Sequence, residues 1–323
     1  LNPIGSAQLI GLAVGVVGTW LGAELLVRGS ARLAIALGLR PLLVGLTVVA
    51  FGTSSPEAVV SFVAAAERSA GIAVGNVVGS NVANVGLILG LVCLVHPVRV
   101  RWSEIRRDAF FMLAATLVAS AIVLANAGPG LTGFVSVLLG ILLLGLLLVS
   151  VRQAVRSPDT RPPEEIAAPV AHDARTRLFA GAQSGLGLAI LVFSARILVL
   201  NAQTVARAYG VEEAVIGATV VAVGTSIPEL AASLVAVARG HYDIGIGNIV
   251  GSNLWNLSFV FAGICIIDPD ARIPLEQAAR LVPMMFGFTI ALMLMMRTGG
   301  RVGRREGASL LLAYAVFARF AYF

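Results

Sequence analysis

Residues 41–90 and 213–262 align without a gap at a constant offset of 172, with 22 identities in 50 positions. An internal duplication of this length limits the fold more than any single motif does, because each copy has to form the same unit. Within the copies, Gly52-Thr53-Ser54-Ser55-Pro56-Glu57 matches Gly224-Thr225-Ser226-Ile227-Pro228-Glu229. Downstream, Gly75-Asn76-Val77-Val78-Gly79-Ser80-Asn81 matches Gly247-Asn248-Ile249-Val250-Gly251-Ser252-Asn253.

Both copies lie in apolar sequence. The chain is 58% hydrophobic and 12% charged, whereas soluble domains carry about 25% charged residues, so an integral membrane protein is expected. Crossing a bilayer takes about 20 apolar residues per helix. Ten segments qualify: 6–27, 41–66, 72–95, 108–126, 130–151, 178–200, 213–238, 244–267, 279–297 and 306–322. The stretch 152–177 interrupts them with Pro158, Pro162, Pro163 and Pro169 among charges, and reads as a joint. The expected fold is therefore all-α, with ten transmembrane helices in two five-helix repeats, 1–151 and 178–323, linked by 152–177. Five is odd, so the second copy enters the membrane from the opposite side. Inverted repeats of this kind are typical of secondary transporters. The first apolar run begins near Gly5 without a basic leader and reads as a retained helix.

The basic residues test that topology. The net charge of +6 comes from arginine alone, since the chain has no lysine. The loops after helices 1, 3, 5, 7 and 9 hold 17 of the 23 arginines, and the opposite face holds five. Such a distribution fits membrane orientation and not nucleic-acid binding. By the positive-inside rule the 152–177 link is cytoplasmic and both termini lie outside, in the cell (inner) membrane.

The repeated motif carries the chemistry. Thr53, Glu57 and Ser61 share one helix face. Pro56 has no N–H, which frees the carbonyl of Gly52 and kinks the helix; Pro228 does the same to Gly224. A free carbonyl at membrane depth is tolerated where it is re-satisfied or lines a cavity. Asn76, Ser80 and Asn84 follow at i, i+4, i+8, as do Asn248, Ser252 and Asn256. Gly75 with Gly79, and Gly247 with Gly251, form small-xxx-small pairs that let backbones approach. A lone membrane Ser or Thr usually bonds its own backbone, and a lone membrane Glu can be structural. Glu24 and Arg196, paired by the offset, suit that structural or gating reading. Glu57 and Glu229 do not, because each has the same Thr-Ser-x-Pro-Glu context with no intramembrane base to neutralise it. A carboxylate in hydrocarbon costs several kcal/mol and marks function by default.

The inventory is carboxylate, hydroxyl, amide and main-chain carbonyl. Hard cations such as Ca²⁺ take these ligands, and Na⁺ fits the same chemistry, whereas zinc and copper favour nitrogen and sulfur. His96, His172 and His241 fall in loops, and Cys93 and Cys265 read as buried apolar packing residues. A hydrolase using Ser54 or Ser226 would need an activating base, and neither Lys nor a membrane His supplies one, so the chain does not read as an enzyme.

The two motifs resemble the alpha-1 and alpha-2 repeats of sodium/calcium exchangers in the cation/calcium exchanger superfamily, over 41–90 and 213–262 and the ten-helix plan. The resemblance implies that Glu57 and Glu229 coordinate Ca²⁺ with the carbonyls of Thr53 and Thr225. It assigns Ser54, Ser80, Ser226 and Ser252, with the carbonyls of Ala50 and Ala222, to Na⁺ sites. It also implies that the first and sixth helices gate the site by sliding against the other eight. Many family members carry an acidic residue at the end of one motif, commonly Asp in the second. This chain has Asn84 and Asn256, which complete the candidate metal-binding set with neutral amides and leave at most two formal negative charges. The expected function is exchange of Na⁺ for Ca²⁺ by alternating access at a shared midplane site. The alternative is H⁺/Ca²⁺ or other divalent-cation exchange, since two carboxylates sharing a site can trade a metal ion for a proton. A cation channel is a remote third reading. No cofactor, nucleic acid or obligate protein partner is expected; the partners are the ions and the bilayer.

Overall fold

In the computed structural model, residues 6–127, 133–156, 174–209, 224–298 and 300–322 are described. They are helical almost throughout. In chain order the helices are α1 (Ser6–Ala36), α2 (Pro41–Thr53), α3 (Ser55–Ala66), α4 (Ala70–Val95) and α5 (Trp102–Asn126). There follow α6 (Gly133–Arg156), α7 (Ala174–Ala208), α8 (Ile227–Ala238), α9 (Tyr242–Ile267), α10 (Leu275–Arg297) and α11 (Arg304–Tyr322). The two-residue strands β1 (Val98–Arg99) and β2 (Arg301–Val302) pair antiparallel.

Among the described residues, seven helices are long and apolar enough to cross a membrane, or eight if the bent pair α2 and α3 is one span. The sequence expectation was ten. Of the segment expected at 213–238, residues 213–223 lie outside the described residues, and α8 alone is too short. Helix α11 opens with Arg304, Arg305 and Glu306 and carries Arg319 in its last turn, which lowers its hydropathy. Most of the 152–177 link and His172 also lie outside the described residues. Several helices run past the expected boundaries. Arg28 and Arg32 are still helical in α1, and Arg207 in α7, because a helix can continue into water beyond the point where hydropathy stops.

The loop contacts sort into two groups. Arg40 Nη2 donates to Ala154 O at 3.3 Å and Arg177 Nε to Ala36 O at 3.2 Å. Arg239 pairs with Glu24 at 2.7 Å, Arg101 with Asp243 at 2.8 Å, and Val98 registers with Val302. These contacts link α1 and the segment after it with the last turn of α6, the first turn of α7 and the segment after α8, and link the segment after α4 with those after α8 and α10. A separate set joins the segments after α3 and α9: Arg68 meets Asp268 at 3.4 Å, and Gln277 Nε2 donates to Gly71 O at 3.0 Å.

Glycine sets how closely the helices approach. A Cβ on Gly45 would lie 2.6 Å from Ile244 O, one on Gly247 2.8 Å from Leu42 O, and one on Gly251 2.7 Å from Leu46 O. Helices α2 and α9 are therefore in backbone contact, as the Gly247/Gly251 pair suggested. Gly75 meets only the Gln277 side chain, at 3.5 Å. A second close pair, α1 with α7, was not foreseen: a Cβ on Gly15 would lie 2.8 Å from the Leu198 backbone. Cys93 and Cys265 are free thiols buried in the core.

Candidate functional site

Each Thr-Ser-x-Pro-Glu motif starts a helix in the same way. Ser54 (φ −83°, ψ 4°) and Ser226 (φ −92°, ψ 7°) are the residues before α3 and α8, with Pro and then Glu in the first turn. At the first break α2 and α3 meet at 47°. Proline is at home in a first helical turn because the missing N–H has no intrahelical partner there. The first break thus presents carbonyls at the C-terminal end of α2 and the Glu57 carboxylate at the N-terminal start of α3, where the helix dipole favours the negative charge, and Glu229 has the same place at the start of α8.

Glu57 and Glu229 are each 1% exposed, and the two motifs hold each other's acids. Ser54 Oγ donates to Glu229 Oε1 at 3.0 Å, and Ser226 Oγ donates to Glu57 Oε1 at 3.2 Å. The remaining oxygen of each acid, Oε2, is buried without a hydrogen-bond partner. Leaving such an acceptor unmatched is costly in a protein interior.

The neighbouring helices brace this clasp symmetrically. Asn76 Nδ2 donates to Glu57 O at 3.1 Å and to Ser61 Oγ at 2.9 Å. Asn248 Nδ2 donates to Glu229 O at 3.3 Å and to Ser233 Oγ at 2.9 Å. One further bond links α2 to α9: Thr53 Oγ1 donates to Asn248 Oδ1 at 3.2 Å. Asn84 Nδ2 donates to Asn253 Oδ1 at 3.0 Å, joining α4 to α9.

Several neutral oxygens nearby have no partner: Asn84 Oδ1, Asn256 Oδ1 and Ser252 Oγ, all buried. Asn84 and Asn256 each open a π-helical segment, Asn84–Leu89 and Asn256–Val260. Such segments occur often at functional sites. Ser80 is buried, Thr53 is buried, and Thr225 is half-buried. The Ala50 carbonyl already accepts from Ser54 N at 3.0 Å, within its own helix. Ala222 lies outside the described residues. Among the described residues no cluster of three or more His, Cys, Asp or Glu forms, so hydroxyls and amides make up the rest of the polar set.

The chain belongs to the sodium/calcium exchanger protein family. The family model described as sodium/calcium exchanger protein matches residues 7–154 and 180–323. The inner membrane protein YrbG of Escherichia coli is 32% identical over 311 residues, covering 96% of this chain and 95% of YrbG. The sodium/calcium exchanger MaX1 of Methanosarcina acetivorans is 29% identical over 337 residues, covering 95% of this chain and 96% of MaX1. Among solved structures, the sodium–calcium exchanger NCX_Mj superposes with a TM-score of 0.79 at 28% identity, covering 96% of this chain and 97% of that one. The exchanger family assignment, the membrane setting and the all-helical exchanger fold agree with the sequence expectation.

One pairing differs from that expectation. Glu24 bonds Arg239 Nε at 3.0 Å and also pairs with Arg28, while Arg196 is an exposed residue of α7. The offset relates Glu24 to Arg196 in sequence but does not bring them together. Sequence reasoning also missed the bracing role of Asn76 and Asn248, whose amide nitrogens point at the motif backbone. The signal was present: each Asn lies 19 residues after its Glu, at 76 and 57 and at 248 and 229. Beside Ser54, an apolar cavity of about 170 Å³ is walled by Phe51, Phe62, Trp255 and Phe259. Trp255 stacks against Phe51 with ring centroids 4.9 Å apart and donates Nε1 to Leu46 O at 3.0 Å.

Proposed function

We propose that this exchanger carries Ca²⁺ and Na⁺ alternately on Glu57 and Glu229, moving Ca²⁺ against an inward Na⁺ gradient. The observation that carries this reading is the crossed clasp. Each acid is held at one oxygen by the other motif's serine and offers its second oxygen, buried and unmatched. A hard cation between the two would match both acceptors at once. The carbonyls of Thr53 and Thr225 complete the Ca²⁺ site. Ser54, Ser80, Ser226 and Ser252, with the carbonyls of Ala50 and Ala222 and the amides of Asn84 and Asn256, serve Na⁺.

Two formal charges are neutralised by one Ca²⁺ or by two Na⁺, so either load lowers the cost of occluding the site, while the empty site resists occlusion. That difference couples the two fluxes. The unmatched neutral oxygens of Asn84, Asn256 and Ser252 favour Na⁺ over H⁺ as the driving ion, because a proton has no use for them. In this reading the polypeptide is two inverted five-helix repeats, 1–151 and 178–323, with the 152–177 link cytoplasmic and both termini outside. The grouping of contacts supports that plan, since α1, the last turn of α6 and the segments after α4, α8 and α10 are linked to one another. Helices α1 and α7, packed through glycine, form the sliding gate.

Radiocalcium uptake into proteoliposomes under an imposed Na⁺ gradient, then an H⁺ gradient, with the membrane potential clamped, tests the coupling. Uptake driven by outward Na⁺ and indifferent to the H⁺ gradient is expected. Uptake that follows H⁺ alone would assign the driving ion to the proton, and unitary currents without any trans cation would replace exchange with a channel.

A further inference from the structure

A cleft of about 780 Å³ opens between the start of α2, the first turns of α5 and the last turns of α6, and shares no lining residue with the carboxylate site. Its polar end is formed by Arg40, Arg106, Arg107, Ser103, Glu104 and Gln153, and its other end by Phe110, Phe111, Ala114 and Leu146. Arg106, Phe110 and Ala114 follow one another at four-residue spacing along one face of α5. At 1.5 Å per residue, the wall passes from cationic to apolar within about 12 Å. Phe110 turns outward and is 56% exposed.

Arg40 supplies a second, independent observation. It is 6% exposed; Nη2 donates to Ala154 O at 3.3 Å, and Nε has no hydrogen-bond partner. A guanidinium N–H left open at that depth is costly unless a ligand accepts it. The acidic groups nearby leave a cationic excess. Glu104, which lines the cleft, pairs at 3.0 Å with Arg101, which lies outside it and also serves Asp243. Asp108 lies buried behind the wall, 3.9 Å from Arg107 Nη2, and accepts from Ser150 Oγ at 3.4 Å. It offsets one arginine of the three.

We propose that this cleft binds an anionic phospholipid, its phosphate headgroup on Arg40 and Arg106 and an acyl chain along Phe110, Ala114 and Leu146. The apolar half distinguishes a lipid from a free phosphate, and the cationic excess distinguishes an anionic headgroup from a zwitterionic one. Basic pockets between transmembrane helices are the usual form of such sites. Arg40 immediately precedes α2, so the bound lipid holds the N-terminal end of the helix whose C-terminal end carries Thr53. The assignment does not depend on which ion drives exchange.

Native mass spectrometry of the full chain, released from vesicles of equal phosphatidylglycerol and phosphatidylcholine, tests it. Phosphatidylglycerol is expected to be retained selectively. Arg106→Gln, at an exposed position, is expected to weaken retention about five-fold, and adding Arg40→Gln to weaken it by about as much again. Arg305→Gln, an exposed arginine outside the cleft, is expected to leave retention unchanged. Equal retention of the two lipids, wild-type retention by Arg106→Gln, or displacement of the lipid by equimolar inorganic phosphate would each overturn the proposal.

Discussion

Gly247 is where packing and site geometry can be tested with a single methyl group. A Cβ there would lie 2.8 Å from Leu42 O and 3.2 Å from Leu46 N. Ordinary contact begins at 3.4 Å, so α2 and α9 must separate by about 0.6 Å at the closest point. Both neighbours are backbone, so no side chain can rotate away. Forced overpacking of this kind costs about 1–3 kcal/mol. The displacement falls next to Asn248, whose bonds to Glu229 O and Ser233 Oγ and from Thr53 Oγ1 hold the motif in place. Gly247→Ala is therefore expected to lower the melting temperature in detergent and to cut radiocalcium exchange in proteoliposomes. Gly185→Ala makes the same chemical change in α7, where nothing lies within 4 Å. There the only effect is helix propensity, a gain of up to about 1 kcal/mol. Wild-type melting and wild-type exchange in Gly247→Ala would refute the claim that backbone contact between α2 and α9 sets the geometry of the acids.

Three other outcomes are expected. Glu57→Gln and Glu229→Gln each keep the shape of the side chain and remove half the site's charge, so each should abolish exchange while size-exclusion and melting profiles stay near wild type; normal flux in both variants would remove the acids from the mechanism. Arg68 holds φ at 57° while its counterpart at the 172 offset, Gly240, holds φ at 80°. Arg68→Gly relieves about 1–2 kcal/mol of left-handed strain but leaves Asp268, which is buried, without its partner at 3.4 Å. Arg68→Ala loses the same ion pair and keeps the strain, so the glycine variant should melt higher than the alanine variant, and equal melting of the two would contradict the strain argument. His241, between α8 and α9, has its imidazole pushed down by burial, against the opposing pull of Asp243 and Glu24. Its folded form takes up the proton less readily than its unfolded form, so the penalty is absent above the unfolded value near pH 6.5 and grows as pH falls through the folded value. His241→Gln should flatten that acid limb in a melting series below pH 6.5, and an unchanged limb would locate the pH dependence elsewhere.

The two acids were legible in the sequence because polar residues in a hydrocarbon setting stand out and the duplication wrote them twice. Their spacing from Thr, Ser and Pro also gave the helix break at Ser54. What each acid touches was not legible. Ser54 reaches Glu229 across 175 positions and Ser226 reaches Glu57 across 169, and no periodicity encodes a contact between helices. The Glu24 case has the same cause. Pseudo-symmetry relates positions, while a salt bridge needs proximity, and Arg239 at the end of α8 supplies it. Even so, the crossing has a logic that the duplication makes intelligible. If each serine served the acid of its own motif, either half would hold a complete polar cluster and the two halves would be free to separate. Because the donors are exchanged, each acid has its serine donor only while the two motifs are together, and a cation bound as proposed would, in pulling on one carboxylate, also loosen the serine of the other motif. Under the proposed function, ion occupancy and the packing of the two repeats would thereby be parts of one hydrogen-bond network, which is the coupling that alternating access requires.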